Sequence, residues 1–481
     1  MSVPIEATRS RALSDVLFQI VTRIANLALG TVVTVLLVRT LGAGGFGEWM
    51  TIFSILGLLG YFTSFGLSAV TVREAAADPE HVDDWVGALV MVQVLMAIPV
   101  TIAGVTALAL VSHGSTMFVA GLVLLAQTPI AIGGSLSVVH QLRMDNRVPM
   151  VLLTVNSVLW GAAVVVIDLA GGGLLALAVA MTATTTVTSA LQALFAVRLQ
   201  HVHPRPSRAA MLRLVKVGAP LGIAGLLVLA YGRIDQIIVF DQVGATAAGQ
   251  YGAAYRLLEQ ANFVPVAVLT TLAPMMAALW PVDRARLLRV STMAAELLSI
   301  GAFGALAFTL VASRPLMQAL FGDELVAGAR VLPILTGAFV VICFGYLIDN
   351  VLLVIGLAHK QVWIALAGLV ANVAGNFLLV PKYGFVAAGW MTLVTEVVVC
   401  GTGGVIALRG LGRPWPSLGR VPRVAVAGGA LALALWGLDA AGGPLAALIA
   451  LSVVLYPALL LALRALSPHE IRELVVRRAA P

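Results

Sequence analysis

Residues 41–49 read LGAGGFGEW, and residues 243–251 read VGATAAGQY. With Gly42 set on Gly244, an offset of 202 residues, Ala43 meets Ala245, Gly47 meets Gly249, Glu48 meets Gln250 and Trp49 meets Tyr251. Each copy closes one long apolar run and opens the next. The glycines permit a tight turn, and an amphipathic ring such as Trp49 or Tyr251 suits a membrane–water interface. The fold turns on what the runs around these copies are.

The chain has 481 residues, of which 60% are hydrophobic and 11% charged. Soluble domains carry roughly 25% charged residues, so this sequence cannot cover a water-facing surface. Its runs are long and continuous, without the two-residue alternation of a barrel strand, and each is near the ~20 residues a spanning helix needs. The sequence therefore predicts an all-α integral membrane protein with fourteen transmembrane helices, beginning at 13–38 and 46–70 and ending at 421–439 and 444–465. The fourth span is placed at 116–139, the seventh at 212–240 and the eighth at 248–279. The start, MSVPIEATRSRALS, leads directly into a run too long for the apolar core of a cleavable signal. Cys343 and Cys400 both lie inside apolar runs and fit neither a metal spacing nor a disulfide framework.

Charge orients the chain. With the N-terminus in the cytoplasm, the outer segments hold only Arg39, Arg314, Arg330 and Lys382 of the 29 Lys and Arg residues, and Arg23, Arg233 and Arg256 sit within spans. The rest fall on the inner side, as the positive-inside rule requires for a multi-pass protein with both termini cytoplasmic. The net charge of +7 follows from those loops, and no basic patch with interleaved aromatics is long enough for nucleic acid.

An even number of spans separates the two copies of the motif, so both halves share one orientation. This is a parallel repeat related by an axis along the membrane normal. It predicts an N-terminal lobe over 1–205, a C-terminal lobe over 206–409, and two extra helices with a tail over 410–481, set off by the GRPWPS linker. Transporters built this way bind substrate between the halves near mid-membrane.

Polar groups inside the spans are the candidate site, because an ionisable side chain at that depth faces a cavity or a partner. Asp15, Gln19, Arg23, Asn26 and Gly30 recur every three or four residues and share one face of the first helix. Arg23 lies ten residues into its span, about 15 Å deep. Offset 202 from it lands on Gly225, so the second half has no counterpart. Arg256 and Glu259 are three apart on the eighth span and could pair within the helix. Arg233 and Asp235 come late in the seventh span, nearer its outer end. Asn372 and Asn376 form an i, i+4 pair, and Glu396 sits halfway down span twelve, as a coupling carboxyl or a structural one. The threonines of MTATTTVTSA most simply bond their own helix backbone. Gln19, Arg23, Asn26, Arg233 and Arg256 are the expected substrate-binding residues, and Glu259, Glu396 and Asp235 the candidates for carrying a coupling ion, H+ or Na+. No cofactor or metal motif is present.

LGAGGFGEW, VGATAAGQYGAAYRL, PLMQALFGDEL and ANVAGNFLLVPKYGFVAAGWMTLVTE resemble the oligosaccharide flippases of bacterial surface polysaccharide synthesis, within the superfamily that also holds multidrug extrusion transporters and lipid II flippases. The resemblance runs from residue 10 to about 410. It implies two pseudo-symmetric six-helix lobes around a central cavity, in the cell (cytoplasmic) membrane. It also implies alternating access that moves a polyprenyl-diphosphate-linked oligosaccharide from the cytoplasmic to the outer leaflet. The expected partners are that lipid, the surrounding membrane lipids and a polysaccharide polymerase or glycosyltransferase, with the transporter itself a monomer. The two extra helices are similar to a pair that lines a lipid-tail groove in lipid II flippases; a peripheral stabilising hairpin is the alternative. Buried arginines suit a diphosphate through paired donors, whereas a cation-coupled exporter of the same fold calls for an acidic cavity. An enzyme of polysaccharide synthesis would need an acidic site in a substantial outer loop, and the outer loop near 313–327 offers only Asp323 and Glu324.

Overall fold

The structure, a computed structural model, describes residues 5–64, 66–143, 147–200, 202–280, 282–412 and 419–465, with side chains from residue 29 onward except at 199, 200, 220 and 221. Among the described residues every regular element is helical, as hydrocarbon demands of a chain whose backbone polar groups must pair within each segment. In order these are α1 (Ile5–Ser64), α2 (Leu67–Ala77), α3 (Val82–Val111), α4 (Ser115–Leu125), α5 (Gln127–Ser135), α6 (Ser137–Leu142), α7 (Arg147–Leu169), α8 (Leu174–Gln200), α9 (Arg208–Tyr231) and α10 (Ile234–Val243). There follow α11 (Ala245–Ala261), α12 (Phe263–Leu279), α13 (Arg284–Phe321), α14 (Leu332–Val354), α15 (Gln361–Tyr383), α16 (Phe385–Leu411), α17 (Val421–Ala440) and α18 (Leu445–Ala462).

Thirteen described segments are long and apolar enough to cross a membrane. The first, Leu29–Ala77, has 49 residues, about 74 Å of helix at the standard rise, more than twice the hydrocarbon thickness. Gly42 divides it, with non-helical φ 66° and ψ −179°. Two crossings meet at that residue, and counting them separately recovers the fourteen spans.

Gly42 shows what the repeated motif does. Its counterpart Gly244 has φ 107° and ψ 171°, the same left-handed, extended region, which is open essentially to glycine alone. Gly322 and Gly384 repeat the conformation before Asp323 and α16, so the second unit uses this turn at three of its junctions. The motif's aromatic residues are not interfacial. Tyr251 is fully buried, its hydroxyl 3.2 Å from Thr392 Oγ1, and Trp49 is buried and stacked on Trp160 at 5.8 Å. Each lies seven residues past its turn, about 10 Å along the helix, and is packed inside its own unit.

By contacts the chain gathers into two units, Met1–Asp241 and Gln242–Pro481. The 205/206 boundary describes repetition in the sequence and the 241/242 boundary describes packing. In the first unit α9 returns onto α2 and α3: Leu214 packs with Leu67, Val70 and Leu89, and Arg213 pairs with Glu74 at 2.7 Å. The preceding segment is pinned where Asp83 accepts from the amides of Arg205 (through its carbonyl, 2.9 Å) and His203 (through its carboxylate, 3.0 Å). Outside the spans, the hydrogen bond from His81, 2.9 Å away, holds the Asp78 carboxyl below the usual carboxylate range.

In the second unit α17 and α18 dock as a hairpin on α13. Leu431, Leu435 and Leu448 pack against Ala307 and Ala312, and Tyr456 donates to the Ile300 carbonyl at 2.7 Å. Their other faces expose Leu433, Trp436, Val453 and Val454, the apolar surface a bilayer covers.

Candidate functional site

The fourth and seventh spans are broken helices, and the breaks meet at one pocket. The helix that carries the seventh span, continuous from Arg208, is interrupted before it ends at Val243. There α9 ends at Tyr231, Gly232 bonds back to the Val228 carbonyl at 3.2 Å, and α10 starts at Ile234. Arg233 stands in the gap. The sequence read this span as one continuous helix with Arg233 in its later part; the structure keeps Arg233 in that part and places it at a break between two helices. Gly232, a weak helix former, lies at the interruption. Asp235 is buried and its Oδ1 accepts from the Gln236 amide at 2.8 Å. It thereby satisfies a donor that a helix start leaves unpaired.

The fourth span breaks twice, at Ala126 between α4 and α5 and at Leu136 between α5 and α6. Its middle piece, QTPIAIGGS, contains Pro129, which has no amide to donate, and Gly133, which lies so close to the Ser189 carbonyl that a Cβ would come within 2.8 Å of it. Gln127 opens this piece. Its amide donates to Thr182 Oγ1 at 3.2 Å, and Thr182 donates to the Val123 carbonyl at 3.1 Å.

Between these breaks and the second arm of α1 lies a cavity of about 360 Å³, in the size range of small-molecule sites. Phe53, Thr63 and Ser64 line it from α1, Gln93 from α3, Gln127, Thr128 and Ser135 from the fourth span, and Arg233 from the seventh. Among the described residues no aspartate or glutamate lines it, and Arg233 is the one ionised lining residue. Sequence reasoning selected Arg233 but not Gln93 or Gln127. The available signal was a lone glutamine in VMVQVLMA and another beside a proline in LLAQTPIA.

The other candidates fall elsewhere. Arg256 and Glu259 pair within α11, Nη1 to Oε2 at 3.0 Å, one turn before Asn262 separates α11 from α12. Asn376 Nδ2 donates to Asn372 Oδ1 at 3.0 Å, and both side chains are buried. Glu396 is half-buried on α16, and Asp349 of α14, which sequence reasoning passed over, bears on it electrostatically. Thr184, Thr186 and Thr188 bond their own helix. Gln19, Arg23 and Asn26 precede Leu29 and lie outside the residues whose side chains are described.

The family described as polysaccharide biosynthesis protein matches residues 12–280, more than half of the chain. The chain belongs to the polysaccharide biosynthesis protein family. No curated protein matches it by sequence. Among solved structures, the lipid II flippase MurJ in an inward closed conformation is similar at TM-score 0.73 and 10% identity, over 96% of this chain and 99% of that one. An inward-facing multidrug resistance transporter of the MATE family, in the MOP superfamily, is similar at TM-score 0.69 and 16% identity, over 82% and 98%. A MOP superfamily transporter from Pyrococcus furiosus, described as having a binding pocket of reversed polarity, is similar at TM-score 0.59 and 18% identity, over 82% and 95%. These likenesses fix the fold: this polysaccharide biosynthesis family member is a multi-pass, all-helical membrane protein with the fold of those structures.

Proposed function

We propose that this family member is a flippase that moves a polyprenyl-diphosphate-linked oligosaccharide from the cytoplasmic to the outer leaflet of the cell membrane by alternating access. The observation that carries the reading is Arg233: an arginine at a helix break, lining a pocket in which none of the other described lining residues is charged. The start of α10 beside it adds the positive end of a helix dipole, and broken helices whose ends face a cavity suit anionic substrate groups. A guanidinium can hold a diphosphate by two parallel hydrogen bonds. Export of cationic drugs calls for the opposite charge.

On this reading Gln19, Arg23, Asn26, Arg233 and Arg256 are the residues available to contact the substrate, with lobes 1–205 and 206–409 as the two halves of the transporter. Glu259, Glu396 and Asp235 are the groups available to carry a coupling H+ or Na+. Both termini lie in the cytoplasm, and a monomer hands its product to a polysaccharide polymerase or glycosyltransferase. The test is reconstitution of the full chain in proteoliposomes with a fluorescent polyprenyl-diphosphate trisaccharide, scored by the fraction reached by an external lectin. We expect transfer in the wild type and at least a tenfold slower rate in Arg233→Ala, as for loss of a charge-assisted contact. Absence of transfer alongside export of a cationic dye would overturn the reading.

A further inference from the structure

Gln93 is a buried primary amide with an unusual position. It is 2% exposed, its Oε1 is enclosed, and that oxygen has no partner in the protein. The residue lines the Arg233 cavity. A buried amide without a partner destabilises a fold unless something else satisfies it. In an apolar run such as VMVQVLMA a leucine would pack with no such penalty. The amide across the cavity, Gln127, is oriented by its bond to Thr182. The hydroxyls of Thr63 and Ser64 donate to the Gly60 and Tyr61 carbonyls at 2.7 and 3.1 Å, which leaves their oxygens as acceptors. Phe53 adds an aromatic face whose ring lies 4.8 Å from Trp49, itself stacked on Trp160.

We propose that this cavity is a sugar subsite: Gln93 and Gln127 bind the hydroxyl or acetamido groups of a neutral pyranose, and Phe53 packs on its C–H face. The inference rests on the flippase reading and adds to it the part of the substrate that this pocket reads. Each primary amide offers both a donor and an acceptor, the complement of a sugar hydroxyl or acetamide, and either amide orientation serves. None of the described lining residues is acidic, so none of them offers a counter-charge to an aminosugar bearing a free ammonium. Arg233, in the same cavity, sits where the phosphate next to that first sugar arrives. Binding then supplies the partner the Gln93 oxygen lacks, and a lipid without the matching group leaves that buried oxygen unsatisfied. Such a site discriminates by rejection as much as by attraction.

The experiment measures binding to the full chain in lipid nanodiscs with three probes: bare polyprenyl diphosphate, the same lipid carrying one N-acetylhexosamine, and the same lipid carrying one neutral hexose. We expect one of the glycosylated lipids to bind about tenfold or more tightly than the bare one, the scale of a lost polar pairing. Gln93→Leu and Gln127→Leu should each bring that ratio toward one and leave bare-lipid affinity unchanged. Gln93→Leu should also keep or raise the thermal unfolding midpoint, since it removes an unpaired amide. A structural role predicts the reverse, a lower midpoint with the sugar preference intact, and that result would overturn the proposal. Equal binding of all three lipids to the wild type would overturn the subsite alone. Binding of none of them would remove the flippase reading and the subsite together.

Discussion

Gly244 allows backbone strain to be measured without crowding. Its φ of 107° and ψ of 171° fall where side chains are excluded, yet a Cβ built there meets no atom within 4 Å. Gly244→Ala therefore introduces conformational strain and nothing else, and should destabilise the fold by about 1–3 kcal/mol. Gly301 is the matched control. It lies inside α13, and a Cβ there also meets nothing within 4 Å. Gly301→Ala should stabilise by up to about 1 kcal/mol through helix propensity and reduced unfolded-state entropy. The protein carries its own reporters. Cys343 and Cys400 are its two cysteines, both free, and both belong to the same unit as Gly244. A thiol-reactive fluorogenic dye followed along a denaturant series in detergent reads the unfolding of that unit. Gly244→Asn should match Gly244→Ala, because asparagine tolerates the left-handed helical region but not this extended one. Gly244→Ala unfolding with the wild type, or rescue by asparagine, would refute the assignment of the repeated motif as an obligatory glycine turn.

Three further outcomes are expected. Arg23→Ala and Arg23→Lys should both impair transport with near-normal expression and insertion, because lysine cannot reproduce the paired donors of a guanidinium; poor folding in Ala with rescue in Lys would make Arg23 structural. Glu396→Gln should abolish the pH dependence of transport in a folded protein, and unchanged pH dependence in both Glu396→Gln and Glu259→Gln would remove both as coupling sites. Tyr456→Phe deletes the hydrogen bond to the Ile300 carbonyl that ties α18 to α13 and should cost about 1 kcal/mol, read as faster proteolysis of the hairpin with α13 intact.

The sequence conveyed the parts of the fold that follow from periodicity and composition. The spans, the repeat, the Arg256–Glu259 and Asn372–Asn376 pairs, and the back-bonded threonines each depend on spacing along one helix. What it did not convey depends on contacts between helices. The breaks at Ala126, Leu136 and Gly232 lie inside apolar runs that read as continuous, and glycine and proline are tolerated in membrane helices because neighbours can satisfy the freed backbone. Gly133 illustrates this: it marks a close approach to the Ser189 carbonyl, and only the fold shows what approaches. Trp49 and Tyr251 misled for the same reason, since an aromatic residue after a turn fits an interface belt or a core equally well until its depth along the helix is known. Gln93 was visible as a lone amide among valines and methionines, but its meaning comes from a pocket assembled by three other spans.

The broken symmetry at Arg23 acquires a physical cause on the other side of the repeat. Its counterpart by offset, Gly225, lies in α9 directly against the Tyr61 ring hydroxyl of α1, so close that a Cβ could not be added without displacing the ring. The second copy could not keep an arginine there and keep that contact. Gly225 and Tyr61 both belong to the first unit, as do Arg233 and its pocket, eight residues further along the chain. The two halves therefore diverged where α9 packs onto α1, about two turns before the break at Gly232. That packing contact accounts for the glycine in one copy. On the proposed flippase reading the divergence also has a use: a substrate with a diphosphate at one end and a sugar at the other cannot be read by a single set of duplicated contacts.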